Sequence, residues 1–196
     1  MRQPEATKKR ILKQSGLLFN TQGYKATSIS DITTATKLTK GAIYRHFKSK
    51  ENLEKEALTW LSHAMFDSIR DRIKEQKTAP DKLRAMFRFF ETYVTKPVIK
   101  GGCPLLNVST EADDANPLLR KQAVAILNML RDSIVAMLSK GIKYGQLRRD
   151  IDTMYYASVI VAQLEGAIMM SKLRGNNDDI RAAIKHLESV LYEITI

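Results

Sequence analysis

Apolar residues return every three to four positions along almost the whole chain, and nowhere do they alternate strictly with polar ones. That period belongs to amphipathic helices, so the pattern predicts helix throughout. Residues 7–22 bring Ile11, Leu12, Ser15, Leu18 and Phe19 onto one face, with Lys8, Lys9, Arg10 and Lys13 around it. Gly23 follows, where a left-handed residue ends a helix. The spans then shorten. Ser28 stands three residues before Asp31, the spacing of a capping box, and Ile29, Ile32 and Ala35 give a very short helix one buried side. Thr36-Lys37-Leu38 breaks the pattern, Thr39 can cap a second short helix, and Ser49 can cap a third. From Ser49 the helical pattern runs without Gly or Pro to about Gln76, roughly 40 Å at 1.5 Å per residue.

The second half repeats the theme with longer helices. Pro80 suits the first turn of a helix that carries Leu83, Met86, Phe87, Phe90 and Val94 and ends before Pro97. The loop 98–104 contains Gly101-Gly102. Pro104 opens a short helix over 105–112, and Asn116-Pro117 caps and starts a longer one that closes near Gly145. Two more are expected over 152–173 and 178–194, separated by Gly175-Asn176-Asn177. The expected fold is therefore all-α, with about nine helices.

Two short helices joined by a tight turn, the second exposing Lys40, Tyr44, Arg45 and His46, have the layout of a helix-turn-helix and predict DNA binding. The run Leu38-Thr39-Lys40-Gly41-Ala42-Ile43-Tyr44-Arg45-His46-Phe47-Lys48-Ser49-Lys50-Glu51-Asn52-Leu53 is similar to the signature of TetR-family transcriptional regulators. The preceding Phe19-Asn20-Thr21-Gln22-Gly23-Tyr24-Lys25-Ala26-Thr27-Ser28-Ile29 resembles that family's link from first to second helix. A shorter run, Gly101-Gly102-Cys103-Pro104-Leu105-Leu106-Asn107 followed by Ser109-Thr110-Glu111-Ala112-Asp113-Asp114, resembles one subgroup of it. The resemblance implies an N-terminal three-helix DNA-binding domain (residues 1–53) and a C-terminal helical domain for ligand binding and dimerisation (residues 54–196). The border would fall inside the long helix that starts at Ser49. It further implies contacts to bases or phosphates from Lys40, Gly41, Tyr44, Arg45, His46 and Lys50, and to phosphates from Thr27 and Ser28.

Charge supports this reading. The chain's net charge is +11, and residues 1–56 hold +7 of it, as a phosphate-binding module should. A lysine-rich solvated surface would give the same excess, and only its coincidence with the helix-turn-helix favours DNA. Thr39 and Lys40 lie at the N-terminus of the recognition helix, where side chains enter a major groove; Lys40 can donate to guanine O6 and N7, and Gly41 lets the backbone come close. Ala42 is small where some relatives carry a polar reader, which leaves direct base reading to Lys40 and Arg45. His46 could instead be a packing histidine beside Phe47; Leu38, Ile43 and Phe47 read as core.

The C-terminal part carries aromatics and methionines at helical spacing. Trp60, Phe66, Met86, Phe89, Phe90, Tyr93 and Met169, with Cys103 in the wall and Glu165 as polar anchor, are candidates for a small-molecule site. The plainer reading is a stripe of core. Phe87 and Phe90 already supply one face of their helix, so Phe89 and Tyr93 make it apolar more than halfway round. Aromatic faces beside one carboxylate would favour a cationic inducer; Arg88 or Lys172, if turned inward, would favour an acid. Broad apolar faces on the last two helices, through Tyr156, Val159, Ile160, Gln163, Leu164 and Ala167, then Leu187 and Leu191, predict a homodimer contact.

Other chemistries find little support. Cys103 is the one cysteine, which excludes an internal disulfide, fits a reducing compartment, and offers no second thiol for a redox switch. Glu111, Asp113 and Asp114 hint at a metal, but the three histidines form no ligand spacing with them, and neither a metal nor a cofactor is expected. No nucleophile elbow, phosphate loop or HExxH stands in the chain, so no enzyme is expected. The start MRQPEATKKR lacks the apolar run of a secretion signal and no stretch reaches a membrane span, so a cytoplasmic protein without a membrane partner is expected. The leading expectation is a repressor released from a palindromic double-stranded DNA operator by a small-molecule inducer. Its rival is a constitutive DNA-binding protein whose body serves only assembly.

Overall fold

Capping residues set where the helices begin. The computed structural model describes residues 4–112 and 116–196; nine helices and no strand occur among them. They are α1 (Pro4–Gln22), α2 (Ile29–Thr36), α3 (Lys40–Tyr44), α4 (Lys50–Lys74), α5 (Ala79–Glu91), α6 (Pro104–Ala112), α7 (Pro117–Lys143), α8 (Thr153–Arg174) and α9 (Asp178–Ile194). Ser28 and Asp31 form the complete capping box: Ser28 Oγ accepts the Asp31 N–H at 3.2 Å, and the Asp31 carboxylate accepts the Ser28 N–H at 2.7 Å. Thr39 accepts from the Ala42 N–H, Ser49 from that of Asn52, and Asn116 from that of Leu119. Asp152 takes two N–H groups, those of Met154 and Tyr155. Each bond satisfies a donor that the helix itself cannot.

Helix α5 stops earlier than the apolar spacing suggests, at Glu91 and not close to Pro97. The run Thr92-Tyr93-Val94-Thr95 is β-branched and aromatic, and such side chains lose rotamer freedom in a helix. Tyr93 is instead fully buried just past the helix end. A second feature has no local signal at all. Leu147 and Thr195 form an isolated antiparallel bridge, with Arg148 N–H donating to the Ile194 carbonyl at 2.9 Å and Ile196 N–H to that of Gln146 at 3.2 Å.

The chain forms two compact units: residues up to Met65 with Ile99–Ile126, and Phe66–Val98 with Leu127–Ile196. In the first, α2 packs on both α1 and α3, and α6 packs on α1. Its core holds Ile11, Phe19, Ile32, Ile43, Phe47, Leu58 and Leu61, with the Phe19 and Tyr24 rings stacked 5.0 Å apart. In the second, α9 packs along α8 and against α5, over a core that includes Leu83, Phe87, Ile134, Leu138, Ile168 and Leu187. Among the described residues no helix is long and apolar enough to cross a membrane.

Candidate nucleic-acid interface

Lys37 makes the turn between α2 and α3. Its backbone is left-handed, with φ 51°, and the N–H groups of Lys37 and Leu38 return to the carbonyls of Thr34 and Thr33. This closes α2 as a glycine would, two residues before Thr39 caps α3. Ile32 and Ile43, both wholly buried, anchor the two helices. What α3 leaves outside is Lys40, Gly41, Tyr44 and Arg45, all exposed, while His46 is half-buried with its ring 6.3 Å from that of Phe47. The Lys40 ammonium stands 6.0 Å over the Tyr44 ring, which orients it along the helix surface.

A side chain at Gly41 would meet nothing within 4 Å. Within the protein alanine would fit there, and would favour the helix by about 1 kcal/mol. Packing within the protein therefore does not require glycine at this position. Beside it, α2 and α3 enclose an open notch of about 390 Å³ lined by Ile29, Ser30, Thr33, Leu38, Thr39 and Lys40. Ser30 and Thr33 were missed in the sequence; their i, i+3 spacing on α2 is the signal that could have found them.

The unit that carries α2 and α3 exposes many cations. Lys9, Lys13, Lys25, Lys37, Lys40, Arg45 and Lys48 are exposed and form no ion pair among the described residues. Three of the expected phosphate contacts, Lys50, Thr27 and Ser28, make hydrogen bonds within the chain. Lys50 is turned inward: its ammonium donates to the Tyr24 carbonyl at 2.8 Å and pairs with Glu54 at 3.3 Å. Thr27 is wholly buried, with its hydroxyl donating to the Gly23 carbonyl at 2.7 Å. Ser28 is exposed, yet its N–H and hydroxyl both donate to Asp31. Those bonds hold the Asp31 carboxyl below the usual carboxylate range, so α2 begins with a lasting negative charge. Lys50 and Thr27 thus brace the turn between α1 and α2, and Ser28 caps the start of α2.

Residues 11–57 match the model of the bacterial regulatory proteins of the tetR family, and residues 79–187 that of the tetracyclin repressor-like C-terminal domain. The chain belongs to the TetR family of transcriptional regulators. A TetR transcriptional regulator from Chloroflexus aurantiacus J-10-FL is similar in structure, with a TM-score of 0.94 and 34% identity over 100% of this chain and 98% of that one. One from Cytophaga hutchinsonii follows with 0.91 and 28%, over 100% and 98%. The transcriptional repressor DhaR of Mycobacterium sp. strain GP1 is 23% identical over 170 residues, 87% of this chain and 84% of that protein. This TetR-family protein is thus a DNA-binding transcriptional regulator, and the face of α3 is its candidate contact with DNA.

The first helix and the sixth are joined by the side-chain amides of Asn20, which is buried, and Asn107, which is half-buried. Asn20 donates to the carbonyls of Lys100 (2.9 Å) and Gly102 (3.0 Å), and Asn107 donates to Asn20 and to the Gly101 carbonyl. Gly101 has φ 103°, and a Cβ there would run into the Asn20 carbonyl. Glu111 on α6 accepts two backbone N–H groups of the turn after α1, so it is an internal acceptor. Asp113 and Asp114 lie outside the described residues.

The candidate ligand residues divide. Phe89, Phe90 and Tyr93 form one ring cluster with centroids 4.9–5.5 Å apart, and Met86 is buried on the same helix. The Arg72 guanidinium already stands 5.0 Å over Phe89, a position an incoming cation would need. Phe66 and Glu165 are half-buried and belong to the same unit. Trp60, half-buried, and Cys103, buried, belong to the other. Met169 is 45% exposed and so does not line an enclosed site within the single chain.

The residues of the expected dimer face divide by burial in the single chain. Ile160, Leu164, Ala167, Leu187 and Leu191 are buried within one chain, on the two helices that pack along each other. Tyr156, Val159 and Gln163 are half-buried, and the Gln163 amide donates to the Ala183 carbonyl at 3.2 Å. Helix α8 is apolar nearly all round, and its other side remains open. Tyr155, Ser158, Ala162, Met169 and Leu173 are exposed there at helical spacing, and at Gly166 an added side chain would meet nothing.

Proposed function

We propose that the protein is a homodimeric repressor that binds a palindromic operator through residues 1–53 and is released by a small molecule bound within residues 54–196. The exposed, unpaired Lys40–Arg45 face carries the DNA part of this reading: it pairs a bidentate-capable cation, an arginine and a phenol with a backbone left bare at Gly41. Two heads on a two-fold axis would meet half-sites about one helical turn apart, and a change in their separation would abolish simultaneous contact. The open side of α8, with Tyr155 and Leu173 flanking small residues, suits close approach of a second copy. Phe89, Phe90 and Tyr93 supply the apolar contacts for the inducer, with Glu165 as its polar one.

Titrating a fluorescent operator complex with cationic dyes and with fatty acids tests the switch. Release by one class and not the other supports the inducer model and sets its charge. Stable binding in the presence of every ligand tried would leave the constitutive reading ahead. Failure to bind any DNA duplex selected from a random pool would remove the operator reading altogether.

A further inference from the structure

The C-terminal end of α4, the start of α5 and the end of α7 enclose a concavity of about 330 Å³ that none of the functions above uses. Its apolar lining includes Ile73, Ala79 and Met137. Lysines reach it from three separate segments: Lys77 from the α4–α5 link, Lys82 from α5 and Lys140 from α7. No aspartate or glutamate lines it, and among the described residues none of the three lysines forms an ion pair. Cations close by in sequence behave differently. Lys74 is held by Asp71 at 2.6 Å, and Arg84 by Asp81 and Glu188 at 3.3 and 3.1 Å.

The remaining polar groups add donors and few acceptors. Gln146 spends its side-chain carbonyl on the Ala79 N–H at 2.7 Å, so its amide NH₂ is what remains for a ligand. Tyr144 offers a ring that is 68% exposed. Three cationic side chains lining one hollow repel one another, and an anion bound among them would reduce that repulsion while gaining charge-assisted hydrogen bonds. At about 330 Å³ the hollow is large enough for a small ligand.

We propose that this hollow binds an amphipathic organic anion, with its acidic head among Lys77, Lys82 and Lys140 and its apolar body on Ile73 and Met137. The head is a carboxylate or a phosphate monoester, and the probes separate the two.

Calorimetric titration of the full chain with octyl phosphate, octanoate, octanol and inorganic phosphate tests this. One of the two amphipathic anions should bind saturably at one site per chain and more weakly as salt is raised, with octanol and inorganic phosphate binding at least about tenfold less tightly. Replacing all three lysines by glutamine should lower that affinity by about tenfold or more, and Lys82→Gln and Lys140→Gln alone severalfold. Amide NMR shifts should centre on Tyr144 and Gln146. Absence of saturable binding, equal binding of octanol, or an affinity untouched by the single and triple glutamine variants would overturn the site. Operator affinity is measured separately, so loss of this site leaves the repressor reading standing.

Discussion

The carboxylate of Glu111 accepts the backbone N–H of Tyr24 at 3.1 Å and that of Lys25 at 3.0 Å, reaching across 87 residues of chain to the turn that leads into the helix-turn-helix. It lies against Gly23, where φ is 98° and a Cβ would sit 2.8 Å from the carboxylate oxygen. The same tyrosine's carbonyl is taken by Lys50. One turn is thus held from α6 and from α4 at once. Removing the carboxylate leaves two backbone donors without their acceptor, each bond to a charged group being worth about 1.5–3 kcal/mol. Glu111→Ala should therefore lower the unfolding free energy by at least about 1 kcal/mol and weaken operator binding, because the α1–α2 turn loses its support. Parallel denaturation and operator titrations check it; an unchanged midpoint would mean that the contact contributes nothing.

Gly41→Ala should separate folding from binding. The added methyl meets nothing within the protein, so the helix gains up to about 1 kcal/mol and the melting temperature rises or holds. On the proposed docking of α3, operator affinity should fall, since the methyl group would stand between its backbone and DNA. Equal or tighter DNA binding would show that α3 docks by another face.

Arg45 and Lys50 should behave differently. Arg45→Ala removes an exposed guanidinium proposed to read a base and should cost about 1–3 kcal/mol against the preferred operator, with little effect on stability. Lys50→Ala breaks an inward bond to the Tyr24 carbonyl and the pair with Glu54, so its first effect should be on the melting temperature. A Lys50→Ala protein of wild-type stability but lower slope of binding against salt would return that lysine to the phosphates.

Burial pushes the Glu54 carboxyl above the ordinary 4.5, against the pull of the Lys50 ammonium and a hydrogen bond from Asn116. A carboxyl raised in the folded state favours folding while protonated; that contribution is present below pH 4.5 and lost as the pH rises through the raised value. Wild type should therefore lose stability relative to Glu54→Gln between pH 4.5 and neutrality. Melting curves of both across that range measure it, and a constant difference would mean that the burial is not felt.

Ala162→Arg, on the open side of α8, should give folded monomers. Ile160→Asp, buried within the single chain, should unfold it instead, because a charge would enter the core. Light scattering with circular dichroism distinguishes the two. A dimeric Ala162→Arg protein at micromolar concentration would exclude this face as the contact.

Much of the protein was legible in one dimension because helices are local objects. The spacing of Ile29, Ile32 and Ala35, the Ser28–Asp31 box and the Thr39 cap act within four residues, so α2 and α3 could be read directly, and with them the exposed cations of the recognition face. Periodicity also named which residues are apolar. It could not say against what they are buried: Ile160 and Leu187 satisfy a dimer and an intrachain seam equally well until α8 and α9 are placed side by side. Where a charged end points was equally hidden, since Lys50 reaches a carbonyl 26 residues away and Glu111 two amides far upstream. Local patterning thus determined the helices, their caps and which side chains α3 leaves exposed. Only tertiary packing decided which apolar faces close on their own chain and which charges turn inward, because those outcomes depend on contacts between segments that no periodicity joins.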